Sequence, residues 1–409
     1  MISIGLSPNT QKDDVWQAIK TIFQFWQWQH GNSVSKVEDW FKDYISNFDI
    51  FSTNSGRSAM WFVLKTFGIG NGDEVILQAF TCLAVPEVII WIGAVPVFVD
   101  VDDSINIDYR KLERSITPKT KAIIVQHTFG IPANIKKIKE IAQKYNLILI
   151  EDCAHSLGAT VEEKRVGTFG DAAFFSFGRD KVISSVFGGL AAIKKTHQNK
   201  KLIERAHSID KELSYPSNFW IFQQLLHPII SWLALSLYDL GIGKLLLVIS
   251  QKLNLLSFPI FKEEKMGKMP EVFPKKNPNA LATLLLNQLQ KLYIYNQHRI
   301  KIAKAYQEEL GRIKNITIPK ATEGSIFLRY NILVENPDNI RKKAKQEGFL
   351  LGNWYHDTID PKGTRNLVGY KKGSCPHAES IAEKSLNLPT HIKMPLSWVE
   401  RLISIIKNS

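Results

Sequence analysis

Between Asp49 and Lys195, seven short runs of apolar, β-branched and aromatic residues alternate with helical or turn-rich stretches, and this alternation constrains the fold most. The runs are DIFSTN, EVILQ, VPVFVDVD, KAIIVQH, LILIED, AAFFSF and GGLAAIKK. Near-continuous apolar character is the pattern of strands covered on both faces. Between two of them, NIKKIKEIAQKYN sets Ile135, Ile138, Ile141 and Ala142 on one helical face. Apolar strands separated by amphipathic helices predict an α/β fold with a mostly parallel sheet. Ligands of such sheets gather at the carboxyl ends of the strands.

At 409 residues the chain exceeds one ordinary core. Its texture suggests a large domain over 1–217, an apolar and basic insertion over 218–278, and a linking helix with a smaller C-terminal α/β domain over 279–409. Cys82, Cys153 and Cys375 lie far apart and form no CxxC pair. That argues against a disulfide framework and a structural zinc site, and fits a reducing cytoplasm. No metal is expected. No signal peptide is expected either, because Met1 to Asn9 lacks a basic start followed by an apolar run. The net charge of +13 admits an anionic partner. Nucleic acid is not expected, because the lysines are scattered and no zinc-finger or RNA-recognition signature is present.

Four segments offer chemistry. In STNSGRSAM, Gly56 allows a tight strand-to-helix turn, and the amides of Arg57 and Ser58 would start a helix and face an anion; an ordinary helix cap reads the same way. Asp152 follows the apolar strand LILIE, where it suits either a cationic ring nitrogen or a helix cap. His155, three residues on, reads as an ordinary buried histidine. Lys181 sits between AAFFSF and Gly188–Gly189, as a surface lysine or a Schiff-base nucleophile. Ser176 is placed to offer its hydroxyl to a phosphate. The turn QAFTCLAVPEVI, holding Cys82, could cover one face of a flat ring.

Together these segments resemble the nucleotide-sugar aminotransferases of the DegT/StrS type, a branch of the fold type I pyridoxal-phosphate enzymes. The likeness runs through GIGNGDEVI, GAVPVFVDVD, ITPKTKAIIVQHTFGIPANI, EDCAHSLGA, VGTFGDAAFFSF, NQLQKL with HRIKIAKAY, and CPHAE with NLPTH. It implies the aspartate-aminotransferase-like fold. It also implies that Lys181 carries pyridoxal 5'-phosphate as a Schiff base and shuttles protons, and that Asp152 pairs with the ring nitrogen. His155 would lie near the ring, and Ser176 with the Gly56 and Arg57 amides would bind the phosphate. The implied reaction moves an amino group from glutamate or glutamine to a keto sugar, within a homodimer. Sugar dehydratases of the same fold replace the lysine by histidine, so Lys181 favours amino transfer. A membrane-associated relative without catalysis is the remaining alternative.

Three positions depart from the family pattern. Arg57 stands where threonine is usual, and Cys82 where an aromatic ring commonly stacks on the cofactor. FPKKNPNA replaces the segment that reaches the partner subunit's phosphate, with Lys276 where its arginine would fall. Arg329, Tyr355 and His356 are candidates for substrate contact. The stretch from Asn218 to Phe261 is unusually apolar, but Asp239, Lys244 and two glycines argue against a membrane span. Its two open readings are a hairpin packed within the dimer, favoured on base rates, and a helix pair resting on the membrane surface.

Overall fold

The computed structural model describes residues 1–196, 199–238 and 240–409. All seven expected strands form: β1 (Phe48–Thr53), β2 (Glu74–Gln78), β3 (Val95–Val99), β4 (Thr120–Gln126), β5 (Ile148–Asp152), β6 (Ala172–Ser176) and β7 (Gly189–Lys194). They make one sheet in the order β1-β7-β6-β5-β4-β2-β3. β7 runs antiparallel to both its neighbours, and every other pairing is parallel. The carboxyl ends of β1, β4, β5 and β6 therefore share one edge, where the residue expectations had converged.

Both faces of the sheet are covered, which explains the unbroken apolar runs. One face buries Phe62, Val63, Ile124, Ile150 and Phe174, and the other buries Phe41, Ile50, Phe175 and Leu190. Along β6 the neighbours Phe174 and Phe175 thus point into different cores, as the two-residue strand period requires.

Helices α1 (Lys12–Ile22) and α2 (Gly56–Thr66) precede an insertion of two helices, α3 (Asn218–Ser236) and α4 (Ile242–Lys252). Helices α5 (Asn279–Leu289) and α6 (Leu292–Leu310) lead into the C-terminal part. There Tyr330–Leu333 pairs antiparallel with Ser385–Leu388 beneath two further helices, Pro337–Gln346 and Leu396–Lys407. Two crossings tie this part to the rest: Ile2–Ser3 pairs with Phe349–Leu350, and Thr81–Cys82 pairs with Ile359–Asp360.

The insertion divides its apolar side chains between the inside and the outside. Trp220 and Leu225 are not available for an outer surface. They are buried with Ala18, Trp28, Phe187 and Phe273, because α3 packs against α1. The exposed apolar side chains lie instead mainly on α4 and its flanks. Among the described residues no helix is long and apolar enough to cross a membrane. Asp239 lies outside the described residues.

Candidate active site

The sheet edge first builds an anion cradle. Ser55 caps α2, its Oγ accepting from the Ser58 amide at 3.0 Å. The amides of Gly56 and Arg57, one residue earlier in the turn, have no intrahelical acceptor. A Cβ on Gly56 would lie 2.7 Å from Ser176 Cβ, so only glycine lets β6 approach this closely. Among the described residues, Ser176 Oγ has no hydrogen-bond partner. Two free amides and a free hydroxyl at a helix N-terminus suit a phosphate. The Ser58 amide is taken up by the cap, and its hydroxyl donates to Asn54 Oδ1.

Lys181 lies on the loop from β6 to β7, and a clamp of distant residues holds that loop. Asn9 Nδ2 donates to the Lys181 carbonyl at 2.7 Å, while buried Arg299 donates to the Val182 carbonyl at 2.6 Å and to Asn9 Oδ1 at 3.0 Å. Lys181 Nζ stands 2.9 Å from His155 Nε2. On the other side of the ring, His155 Nδ1 accepts from the Phe129 amide at 3.4 Å, and the imidazole stacks on Phe129. Burial, with the Lys181 and Arg329 charges adding to it, holds His155 well below the usual histidine range. It is therefore neutral at pH 7.

Asp152 ends β5 and is buried, with Oδ1 accepting from the Ala154 amide at 2.9 Å. Burial raises its carboxyl above the usual range, opposed by that hydrogen bond and by Lys181. A desolvated carboxyl with so little compensation is disposed to take a cationic partner. A protonated pyridine nitrogen is one. The cradle, the lysine and this acid together fit pyridoxal phosphate.

The C-terminal part closes the other side. Arg329 is buried, pairs with Asp180 at 2.8 Å and stacks 3.7 Å over Trp354. The same indole lies 5.7 Å from Lys181 Nζ. Tyr355 stacks on Phe129 at 5.5 Å, and its phenol is driven up by burial, with Cys82, Asp152 and Asp360 adding. His356 pairs through Nδ1 with Asp360 Oδ1 at 2.6 Å, which raises its imidazole. Burial pushes the Cys82 thiol up to about 11, so a packing role suits it better than a nucleophilic one. Of the expected contacts, Arg329 and Tyr355 come to the lysine and the acid; His356 sits further out, half-buried.

Sequence reasoning missed Asn9, Arg299, Arg179, Asp180 and Trp354. Arg179 and Asp180 immediately precede Lys181 in GRDK, a local signal that could have been read; Asn9 and Arg299 offered none. Arg57 offers the cradle its amide and not its side chain. Its side chain turns from the cradle to Glu264 Oε1 at 2.6 Å and the Pro259 carbonyl at 2.8 Å. Arg179 likewise donates to the Ser257 carbonyl and hydroxyl, both at 2.7 Å. The return segment of the insertion is thus bonded to the neighbours of both the cradle and the lysine. Beside it Glu87 is buried, neither carboxylate oxygen having a hydrogen-bond partner among the described residues, and burial followed by the Glu264 charge pushes it to about 9. Lys276 lies 4.0 Å from Asp210 of its own chain.

His127, Glu151 and Cys153 cluster closely enough to suggest a metal site. The Glu151 carboxylate, however, already accepts from the amides of Gly167, Phe169 and Gly170 and faces His127 Nε2 at 3.2 Å. His127 Nδ1 accepts from Ala133, which leaves its proton on Nε2 for Glu151. This is a satisfied structural network.

Residues 9–219 and 273–407 match the DegT/DnrJ/EryC1/StrS aminotransferase family. The chain belongs to that family. GDP-perosamine synthase of Caulobacter vibrioides is 38% identical, covering 92% of this chain and 90% of its own. The spore coat polysaccharide biosynthesis protein SpsC of Bacillus subtilis is 34% identical, covering 98% and 95%. The crystal structure of NtdA from Bacillus subtilis with bound cofactor PMP superposes with a TM-score of 0.73 at 21% identity, over 97% of this chain and 83% of its own. The fold is that of the fold type I aminotransferases. The family match omits the residues from Trp220 to Val272, which hold α3, α4 and the return segment.

Proposed function

We propose that this aminotransferase uses pyridoxal 5'-phosphate to move an amino group from glutamate or glutamine to a keto sugar, most naturally one linked to a nucleotide. The observation that carries the reading is the convergence of Lys181, neutral His155 and buried Asp152 beside an empty-handed Ser176 and the free amides of Gly56 and Arg57. Kinship to GDP-perosamine synthase supports the sugar substrate.

When bound, pyridoxal phosphate supplies the aldehyde that carries the amino group and a ring that delocalises electrons from the substrate carbon. Ser176 and the two amides would hold its phosphate, and Asp152 would keep its ring nitrogen protonated. Lys181 holds and moves the proton at the substrate carbon, its loop fixed by Asn9 and Arg299. His155, 2.9 Å away, gives that amine a hydrogen-bonding partner of neutral charge. Trp354, Tyr355 and Phe129 exclude water from the same space. Arg329 is set to meet an anionic group of the donor or the sugar once Asp180 shares it.

The free cysteines support a reducing compartment, and the reading includes a cytoplasmic homodimer, to be checked by light scattering. The decisive experiment is absorption of the purified protein with added cofactor, followed by turnover on a panel of nucleotide keto sugars. Wild type should show a visible band and transfer nitrogen from glutamate or glutamine. Lys181→Ala should lose that band and at least a thousandfold in turnover, on the order of 4 kcal/mol of transition-state stabilisation. A protein that refuses cofactor would sink the reading.

A further inference from the structure

α4 packs inside out for a helix meant to stay in water. Toward α3 it turns Gly243 and Ser250, both buried, and a Cβ at Gly243 would lie 2.0 Å from the Ala234 carbonyl oxygen. This small face lets the two helices approach closely. The opposite face carries Ile242, Leu245, Val248 and Ile249, all exposed at helical spacing, with Leu253 just past the last turn. Leu245 is 59% exposed, Leu253 63%, and Leu240 in the preceding turn 72%. A surface helix of a soluble protein does the reverse, burying its apolar stripe. A contiguous apolar surface of this kind marks an interaction site.

The surrounding charge selects the occupant. From residue 218 to 276 seven lysines stand against four acids, and one of the acids, Glu264, is buried against Arg57. On α4 itself Lys244 and Lys252 are the only charged residues, and both are exposed. Pairing this face with its own copy would gather those lysines around one apolar contact, where they repel. An anionic surface is complementary to them, and lysine stems can lie along the lipid while their ammonium groups reach the headgroups. Aromatic side chains add to this. Phe25 and Trp26, each 66% exposed, belong to the turn after α1, whose Trp28 stacks on Phe222 of α3. Exposed tryptophan and phenylalanine favour the headgroup level of a membrane.

We propose that the outward face of α4 docks on an anionic lipid surface, the helix lying in the plane of the headgroups. Among the described residues neither helix of the hairpin is long and apolar enough to span a bilayer, and docking does not require it. Its return segment carries Ser257, Pro259 and Glu264 back to Arg179 and Arg57, so the docked surface and the lysine loop belong to one connected structure.

The test is co-sedimentation of the full chain with vesicles of phosphatidylcholine alone and with about one-third phosphatidylglycerol. Each lysine near the surface contributes roughly fivefold, so wild type should partition at least ~10-fold more strongly to the anionic vesicles. That preference should shrink in high salt. Leu245→Glu/Ile249→Glu should lower binding to the anionic vesicles by a further ~10-fold or more. Lys244→Gln/Lys252→Gln, which keeps the apolar face, should reduce only the preference for anionic over neutral lipid. Circular dichroism and melting temperature establish that each variant is folded. Wild type that ignores both vesicles, or binding indifferent to the double glutamate substitution, overturns the proposal. So does a concentration-dependent self-association that the same substitution dissolves, because the face then belongs to a second copy.

Discussion

Asp152 illustrates how a single side chain can be legible in a sequence and still need a structure to be understood. Its place at the end of LILIED marked it, yet an acid there serves a helix cap equally well. The structure gives its carboxyl one amide and otherwise burial. Asp152→Asn should therefore retain cofactor, which the cradle and Lys181 would hold in the proposed reading, while turnover falls ~100-fold or more because the amide cannot keep a ring nitrogen protonated. Cofactor absorbance and single-turnover rates measured on the same sample separate the two effects. Ser176 and Lys181 were legible for the same reason, each lying at or just past a strand end. Asn9 and Arg299 were not, because their contact spans 290 positions and neither residue is chemically unusual in its own segment.

At the level of elements, the seven strands were readable because a strand covered on both faces keeps an apolar character that no turn imitates. The insertion was not, because an apolar run does not say which of its sides will be covered. Trp220 and Leu225 went inward against α1 and α5, while Leu245 and Ile249 stayed out. The helix Ala84–Trp91 brings a second consequence of that insertion, since its Glu87 is buried near Glu264. Its folded value of about 9 lies above its ordinary 4.5, so between these limits the folded state holds a proton that the unfolded state lacks. Stability from this group is then complete below pH 4.5 and falls as pH rises toward 9. Wild type should lose stability between pH 6 and pH 9 by up to about 1 kcal/mol per unit more than Glu87→Gln does. Urea midpoints at the two pH values provide the comparison.

For the molecule as a whole, the omission of 220–272 from the family match invites the view that the insertion is a detachable accessory. The bonds from Arg57 to Glu264 and Pro259, and from Arg179 to Ser257, say otherwise. Arg179 is half-buried, and desolvation has already pulled its guanidinium down to about 10. Cutting the insertion away and joining its flanks would leave two arginines without acceptors and bare Phe187 and Phe273 to water. A shortened chain of that kind should be recovered only as aggregate. Arg57→Thr/Arg179→Ser in the same chain should raise the soluble fraction only in part, because Phe187 and Phe273 stay bare, as gel filtration would register. The extra segment is therefore a buttress: it anchors the two arginines that border the cradle and the lysine loop, and a chain without it keeps their charge but not their anchorage.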